Sequence, residues 1–508
     1  MEYWSILLSI VIGALGIYCL FKNFNFFKRH GVIHIPLDTM LCIVVSVLFR
    51  RISFVDFMKK IYNFNPDAKY FGFYAITTPF ILLRDPELIK TVLIKNFDAF
   101  PNRRGFSELN ELFAKNLFSL RGEKWRDVRN LLSPSFTSSK LKTMFTLMSE
   151  CAVDFVKFLS TLPTDKSDMD IKDAFTKYTN DVIATCAFGI KVDSMKDPAN
   201  KFYIYGKDAT DFSGMRSIKF LLLTNFPRLG RILNLKLIND YVTNFFRDII
   251  KTTIATRDAE NITRPDMIQL MMDIRGKEGR RELSIDDMTA QAFNFFFGGF
   301  ETSSVAMSFA AHAIATNLDV QVKLREEIDK ALEESNGEVT YEVINQLEYL
   351  DAVINETLRL YSPVPFLERL CEKDYELPPA LTGEKAFTVK KGMMLWIPVS
   401  SIHYDENYYD NPDKFYPERF LNNKTHQNSL FYMPFGLGPR MCIANRFAVL
   451  EIKVLLFYLL ARCELKPCGK TVLPLKFSKK DIIITPEGGF WLNIQRRSDM
   501  HPALEPKN

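Results

Sequence analysis

The stretch from Ser284 to about Leu318 restricts the possible folds of this chain more than any other. Ser284-Ile-Asp-Asp287 is a capping-box-like start, and the helix it opens runs past Thr302 with apolar residues on every face. A helix that is apolar all round must be buried, so the remaining residues have to supply a core large enough to enclose it. Two glycines lie in its interior, Gly298 and Gly299, each costing about 1 kcal/mol against alanine. Losing two side chains there either opens a groove beside the backbone or admits a close-packed neighbour. Thr302 stands four residues beyond Gly298, where its hydroxyl reaches the Gly298 carbonyl, and Glu301 is next to it. An acid and a hydroxyl at a groove can relay protons; a packing glycine pair beside a solvent-linked glutamate is the plainer alternative.

Around that helix the apolar period is helical almost throughout from Lys124 to Tyr361, while strand-like runs are short: Tyr70 to Ile76, Phe80 to Leu83 and Phe490 to Ile494. Asp85-Pro-Glu opens a helix through Ile94, and Pro486-Glu-Gly-Gly489 is a turn signal. The expected class is mainly α with small β-sheets, a helix-rich domain plus a smaller β-rich region. Forty-four phenylalanines make an interior able to close a lipophilic cavity. The 65 basic residues are matched by 60 acidic ones without basic clusters, which excludes nucleic acid as a partner.

From Tyr3 to Phe21 there is no charge, and Trp4 to Phe21 spans about 27 Å as a helix, enough for one crossing. Glu2 precedes this run, and Lys22, Lys28, Arg29 and His30 follow it, the order of an uncleaved anchor with a cytosolic body. Residues 1–22 are therefore expected to be a transmembrane anchor, 23–36 a basic linker and 37–508 the catalytic domain. The run Met40 to Phe49 is too short to cross and suits a helix lying on the membrane or packed on the domain. Met215 to Ile238 mixes apolar residues with Arg216, Lys219, Arg228, Arg231 and Lys236, fitting either a bilayer contact or a pair of surface helices.

The eight cysteines are scattered, with no CxxC pair and no compact His/Cys cluster, so neither a disulfide scaffold nor a zinc site reads out. Cys442 stands apart, in Phe435-Gly-Leu-Gly-Pro-Arg-Met-Cys-Ile-Ala444. A core thiol, a nucleophile and a ligand to an external group all compete for it. Glu356 and Arg359 are three apart and share a helix face before Pro363; if buried, they need a further partner, which Arg419 can supply.

Phe435-x-x-Gly438-x-Arg440-x-Cys442-x-Ala444 occurs with Glu356-x-x-Arg359, Pro417-Glu-Arg-Phe420, Gly298-Gly-x-Glu301-Thr302 and Trp125-x-x-x-Arg129. In this order the set resembles a microsomal cytochrome P-450 over essentially the whole chain, anchor included. The resemblance implies the cytochrome P-450 fold and haem b (iron protoporphyrin IX) with Cys442 as its axial thiolate, one cysteine sufficing because the porphyrin supplies four nitrogens. Phe435, Gly436 and Ala444 resemble the loop that approaches the haem; Trp125, Arg129, Arg369 and Arg440 resemble its propionate partners. Glu356, Arg359 and Arg419 resemble a structural ion network. Glu301 and Thr302 resemble the pair that brings protons to bound oxygen.

Ala444 stands where glycine is commoner, and Gly298 where alanine is. Phe293 to Ser304, Ala187 to Ser194 and Met433 to Arg440 are most similar to the insect family-nine group. That likeness implies a monooxygenase of lipophilic foreign compounds such as plant toxins and insecticides, seated in the endoplasmic reticulum membrane. Its partners would be NADPH-cytochrome P-450 reductase and, optionally, cytochrome b5. By position the substrate pocket draws on Phe106, Leu117, Phe295, Phe296, Gly299, Val364, Phe366, Gly489 and Phe490. An endogenous lipid or hormone as substrate, a haem-thiolate isomerase and a haem sensor are the alternatives.

Overall fold

The structure is a computed structural model that describes residues 25–75, 78–104, 110–163, 166–212, 215–273, 283–421, 429–481 and 483–499. The anchor expected over residues 1–22 and the pocket candidate Phe106 lie outside them. Among the described residues no helix is long and apolar enough to cross a membrane. The strands are β1 (Tyr70–Ala75), β2 (Thr78–Leu83), β3 (Asp168–Asp170), β4 (Leu367–Leu370), β5 (Tyr375–Leu377), β6 (Phe387–Val389), β7 (Met394–Ile397), β8 (Cys463–Pro467) and β9 (Trp491–Arg496). The helices that matter below are α1 (Leu37–Leu48), α2 (Gly122–Leu132), α3 (Ser138–Ser160), α4 (Ile171–Ala187), α5 (Lys201–Thr210), α6 (Asp240–Glu260), α7 (Ile285–Thr316), α8 (Leu318–Glu334), α9 (Glu348–Leu360) and α10 (Asn445–Arg462). The chain forms two compact units, the first made of Met1–Arg104, Val364–Asp410 and Gly436–Met441, the second of Gly105–Pro363, Asn411–Phe435 and Cys442–Asn508.

Unit one is built on a sheet of order β1-β2-β7-β4, in which β1 and β2 form an antiparallel hairpin, β2 runs parallel to β7, and β4 returns antiparallel. Phe73, Phe80 and Phe366 gather on Trp396, the Phe366 ring stacked at 4.5 Å, so this aromatic run is sheet packing. Asn25 to Pro36, expected as a linker, pack onto the sheet: Phe27 is fully buried, and its ring occupies the space a side chain on Gly72 would need. The apolar Met40 to Phe49 run is the helix α1, buried at Met40 and exposing Leu41, Val45 and Leu48, spaced one helical face apart, with Phe49 beyond them.

Unit two surrounds α7. The Ser284 hydroxyl accepts from the Asp287 amide while the Asp287 carboxylate accepts from the Ser284 amide, and the helix then runs unbroken to Thr316; Asn317 separates it from α8. Helices α4, α5, α6, α9 and α10 pack around it, α3 lies against α4 and α10, and β3-β9-β8 form a small antiparallel sheet at their side. Phe296 packs with Phe202, Phe246 and Phe300, and Gly206 on α5 leaves the space its ring fills. Glu327 of α8 accepts from the Tyr349 and Leu350 amides at 2.7 and 3.0 Å, capping α9 from another helix and fixing where Glu356 and Arg359 stand.

Candidate active site

The cysteine loop is shaped by its glycines. Gly436 and Gly438 have φ of +76° and +72°, a region side chains disfavour, and a Cβ on Gly438 would collide with the Leu93 carbonyl. Leu93 lies in Thr91–Lys95, where the helix expected from Asp85 onwards widens into a π turn. Cys442 donates its amide to the Phe435 carbonyl at 2.9 Å, which closes the loop. Ala444 begins α10 with φ −99°, a conformation open to any L-residue, so alanine replaces the commoner glycine without strain. Cys442 is exposed, whereas Cys186, Cys371 and Cys463 are buried core thiols.

Unit one gathers cations. Arg369 is buried to 1% exposure; its Nη1 donates to the Glu368 carbonyl, and its Nε has no hydrogen-bond partner among the described residues. The Glu368 carboxylate is taken by Arg104, through the amide at 3.2 Å and Nη2 at 3.6 Å. Burial, aided by the nearby Arg103 charge, pushes the Arg369 pKa down to about 9. Arg103 donates to the Arg440 carbonyl at 2.8 Å, while Arg440 donates to the Pro101 carbonyl and to Asn102 Oδ1. A buried guanidinium with an unused N–H and a second cation beside it is a site for a carboxylate. The haem propionates fit that description. Arg103 belongs to the same cluster, and the only sequence signal for it is the doubled arginine after Pro101-Asn.

Unit two holds the other candidates. Trp125 and Arg129 are one turn apart on α2, with Trp125 buried; burial lowers the Arg129 pKa, opposed by its proximity to Cys442. On α7 the Thr302 hydroxyl donates to the Gly298 carbonyl, as their spacing predicts. A Cβ on Gly298 would meet nothing within 4 Å, so this glycine faces open space. Gly299 does not line that space: its Cβ would come 2.9 Å from Ile183 Cδ1, and its role is close packing of α7 on α4. The glycine pair thus splits between the two uses expected for it. Glu301 Oε1 lies 2.7 Å from Lys172 Nζ on α4, and both side chains stay partly exposed.

Glu356 and Arg359 form a two-pronged pair, 2.7 and 2.8 Å, with both side chains fully buried. The extra partners a buried pair requires are present: the Tyr416 amide donates to Glu356 at 2.9 Å, Arg419 Nε lies 3.6 Å from it, and Arg359 reaches the Lys414 carbonyl.

Among the aromatic candidates, Phe295 is half-buried and lies 5.4 Å from Phe136, which in turn is 6.5 Å from Phe447. Phe296 is in the α5–α6–α7 aromatic core, and Phe490 packs edge-on against Phe309 at 4.8 Å, its carbonyl bonded to the Ile171 amide. Phe366 is committed to Trp396, and Val364 beside it is exposed. Leu117 is buried, with its amide held by Gln291 Oε1 on α7. Gly489 takes φ +91° in the turn before β9. A polar cleft of about 540 Å³ lined by Glu111, Arg231, Lys236 and Asp240 includes none of these residues.

Residues 36–493 match the family model described as cytochrome P450. Cytochrome P450 9e2 of Blattella germanica is 42% identical over 94% of this chain and 95% of its own length. Probable cytochrome P450 9f2 of Drosophila melanogaster is 38% identical over 94% of this chain and 96% of its own. Cytochrome P450 6a2 of the same fly is 35% identical over 97% and 99%. With the cysteine loop, the buried Glu356–Arg359 pair and the glycine-bearing α7 in one chain of matching length, this protein belongs to the cytochrome P450 family.

Proposed function

We propose that this protein is a haem-thiolate monooxygenase of lipophilic small molecules in which Cys442 is the axial ligand. The family carries haem b with a cysteine thiolate, and the insect members indicate monooxygenase chemistry. The observation that carries the assignment of Cys442 is its place: an exposed thiol in a loop that two left-handed glycines shape, near the Arg129 charge. When bound, the haem thiolate supplies the two-electron activation of O2. In that reading Arg369 and Arg440 would hold propionate oxygens, the role that the family resemblance also gives Trp125 and Arg129. Thr302 Oγ, fixed on the Gly298 carbonyl, and Glu301, held at Lys172, position protons at the open side of α7. Phenylalanines beside Phe295 exclude water and favour apolar substrates.

Electrons are proposed to come from NADPH through cytochrome P-450 reductase, with cytochrome b5 as an optional second donor. The substrates are proposed to be foreign compounds, plant toxins and insecticides among them, on the likeness to family-nine relatives. A single-pass anchor in the endoplasmic reticulum membrane with a cytosolic catalytic domain accords with the uncharged run Tyr3 to Phe21 and the cations after it. Two surfaces suit a bilayer: the outer face of α1, and the helix Pro227–Ile232, where Leu229 and Ile232 are exposed beside Arg228 and Arg231.

Reduced, carbon monoxide-treated protein tests the ligand. A Soret band at the thiolate position, lost in Cys442→Ala, is expected; a band at the position typical of histidine ligation would sink the assignment. Turnover of a lipophilic substrate should require O2, NADPH and reductase, and product formed equally without them would point to an isomerase.

A further inference from the structure

The short helix Glu111–Lys115 and the residues after it meet α7 in two different ways. Along α7, Asp286, Phe293 and Phe297 stand at i, i+7 and i+11 and share one face. Gln291, Gly298 and Thr302 repeat that spacing on a second face, about 140° round the axis. The first face takes side chains. Phe113 sits edge-on to Phe293 and Phe297, with ring centroids at 5.6 and 5.0 Å. Lys115 Nζ lies 3.3 Å from Asp286, and Arg247 of α6 joins Asp286, at 3.0 Å, to Glu111. The second face takes backbone: the Gln291 side-chain amide donates to the Lys115 carbonyl at 2.8 Å and accepts from the Leu117 amide at 2.9 Å. Gln291 and Leu117 are both buried.

We propose that Gln291 is a positioning residue that clamps the strap 110–117 at the N-terminal end of the space Gly298 opens, and that this clamp limits the length of lipophilic substrate the protein accepts. The Lys115 carbonyl is one of the orphan groups at the end of a five-residue helix, which is too short to hold itself in water, so its place is set from outside. The outer ion pairs are poor candidates for setting it. Their side chains are 29–52% exposed, and such pairs are weak and screened by salt. The buried amide admits no half-open state, because losing one of its two bonds leaves a polar group stranded out of water. Seven residues separate Gln291 from Gly298, about 10 Å along α7, so the strap backbone at Leu117 stands that far from the opening on the same face. A chain lying along this face from Thr302 towards Gln291 meets the strap as its stop.

The length limit rests on the monooxygenase reading; the clamp does not, and two measurements separate them. Hydrogen exchange of the full-length, haem-loaded protein reads the clamp. Peptides covering residues 112–120 should exchange slowly in the parent and much faster in Gln291→Met, which keeps the side-chain bulk and loses both bonds. Fast exchange in the parent, or equal exchange in the two proteins, overturns the clamp whatever the enzyme does. A series of 1-alkylimidazoles, whose ring ligates haem iron and leaves an alkyl chain of chosen length in the pocket, reads the limit. Parent affinity should rise about fourfold per methylene and then stop rising. In Gln291→Met the rise should continue through further methylenes, with short chains bound as before. A loosened strap with the break at the same chain length, or with every member weakened alike, overturns the limit. Should Gln291→Met fail to load haem, Asp286→Asn is the second variant: it removes the outer pairs and should leave the break where it was, and a moved break would give the positioning to those pairs instead of Gln291. No imidazole spectrum from the parent would overturn the haem reading and the limit with it, while hydrogen exchange still decides the clamp.

Discussion

Replacing Arg369 with methionine should make the haem-free chain more stable and the haem-loaded chain worse at keeping its haem. The guanidinium is buried, its Nε is unsatisfied, its carboxylate neighbour is occupied by Arg104, and Arg103 adds a like charge. Arginine keeps its proton at neutral pH, so the depression to about 9 is felt as lost stability rather than as deprotonation. Roughly three and a half pH units at ~1.36 kcal/mol each set a ceiling of about 5 kcal/mol. Relaxation and water penetration reduce this, and swaps of buried ionic groups for apolar ones of similar volume return about 1–4 kcal/mol. Urea unfolding of haem-free protein should therefore show Arg369→Met with a higher midpoint and an unchanged slope. Haem transfer to a scavenging globin should go the other way, since losing a charge-assisted bond to a propionate costs about 1.5–3 kcal/mol, on the order of 10- to 100-fold in retention. If Arg369→Met destabilises both forms equally, the side chain is an ordinary structural cation and the carboxylate site is misassigned.

Gly298→Ala should raise the melting temperature by about 1 °C, because alanine gains about 1 kcal/mol in a helix and its Cβ meets nothing, while turnover of bulky substrates falls. Gly438→Ala, by contrast, faces both φ +72° and the Leu93 carbonyl; expression without haem is expected, and a normally loaded variant would contradict the backbone argument. Glu356→Gln strands Arg359 in the core and should cost about 3–5 kcal/mol with loss of loading, whereas the double variant Glu356→Leu/Arg359→Met should recover much of the stability; no recovery would mean that the pair does not bear the cost. Because its folded pKa is raised, Glu451 contributes stability that is full below the unfolded carboxylate range and declines as pH rises towards about 8. Denaturation midpoints should follow that slope in the parent and lose it in Glu451→Gln.

Features governed by short sequence separation were legible in advance. The Ser284 capping box, the Thr302 bond to Gly298, the Asp85 cap and the Glu356–Arg359 face all stand where helix geometry puts them. Legibility failed where a neighbour came from far along the chain. Nothing around Lys172 marks it as the partner of Glu301, nothing around Ile183 marks it as the reason for Gly299, and Phe296 and Phe490 read equally well as pocket or core. The Thr91–Lys95 π turn has the local sequence of a plain helix, and it lies against Gly438, a contact from far along the chain.

By itself the sequence determined the helical frame, the loop chemistry around Cys442 and the residue types able to meet a carboxylate-bearing cofactor, since these depend on backbone preferences within a few residues. Tertiary structure alone decided which of two adjacent glycines opens a groove, which buried arginine finds its neighbouring carboxylate already taken, and which core glutamate has no ion-pair partner among the described residues. Those outcomes depend on desolvation and on what packs opposite, and both are settled only when distant segments meet.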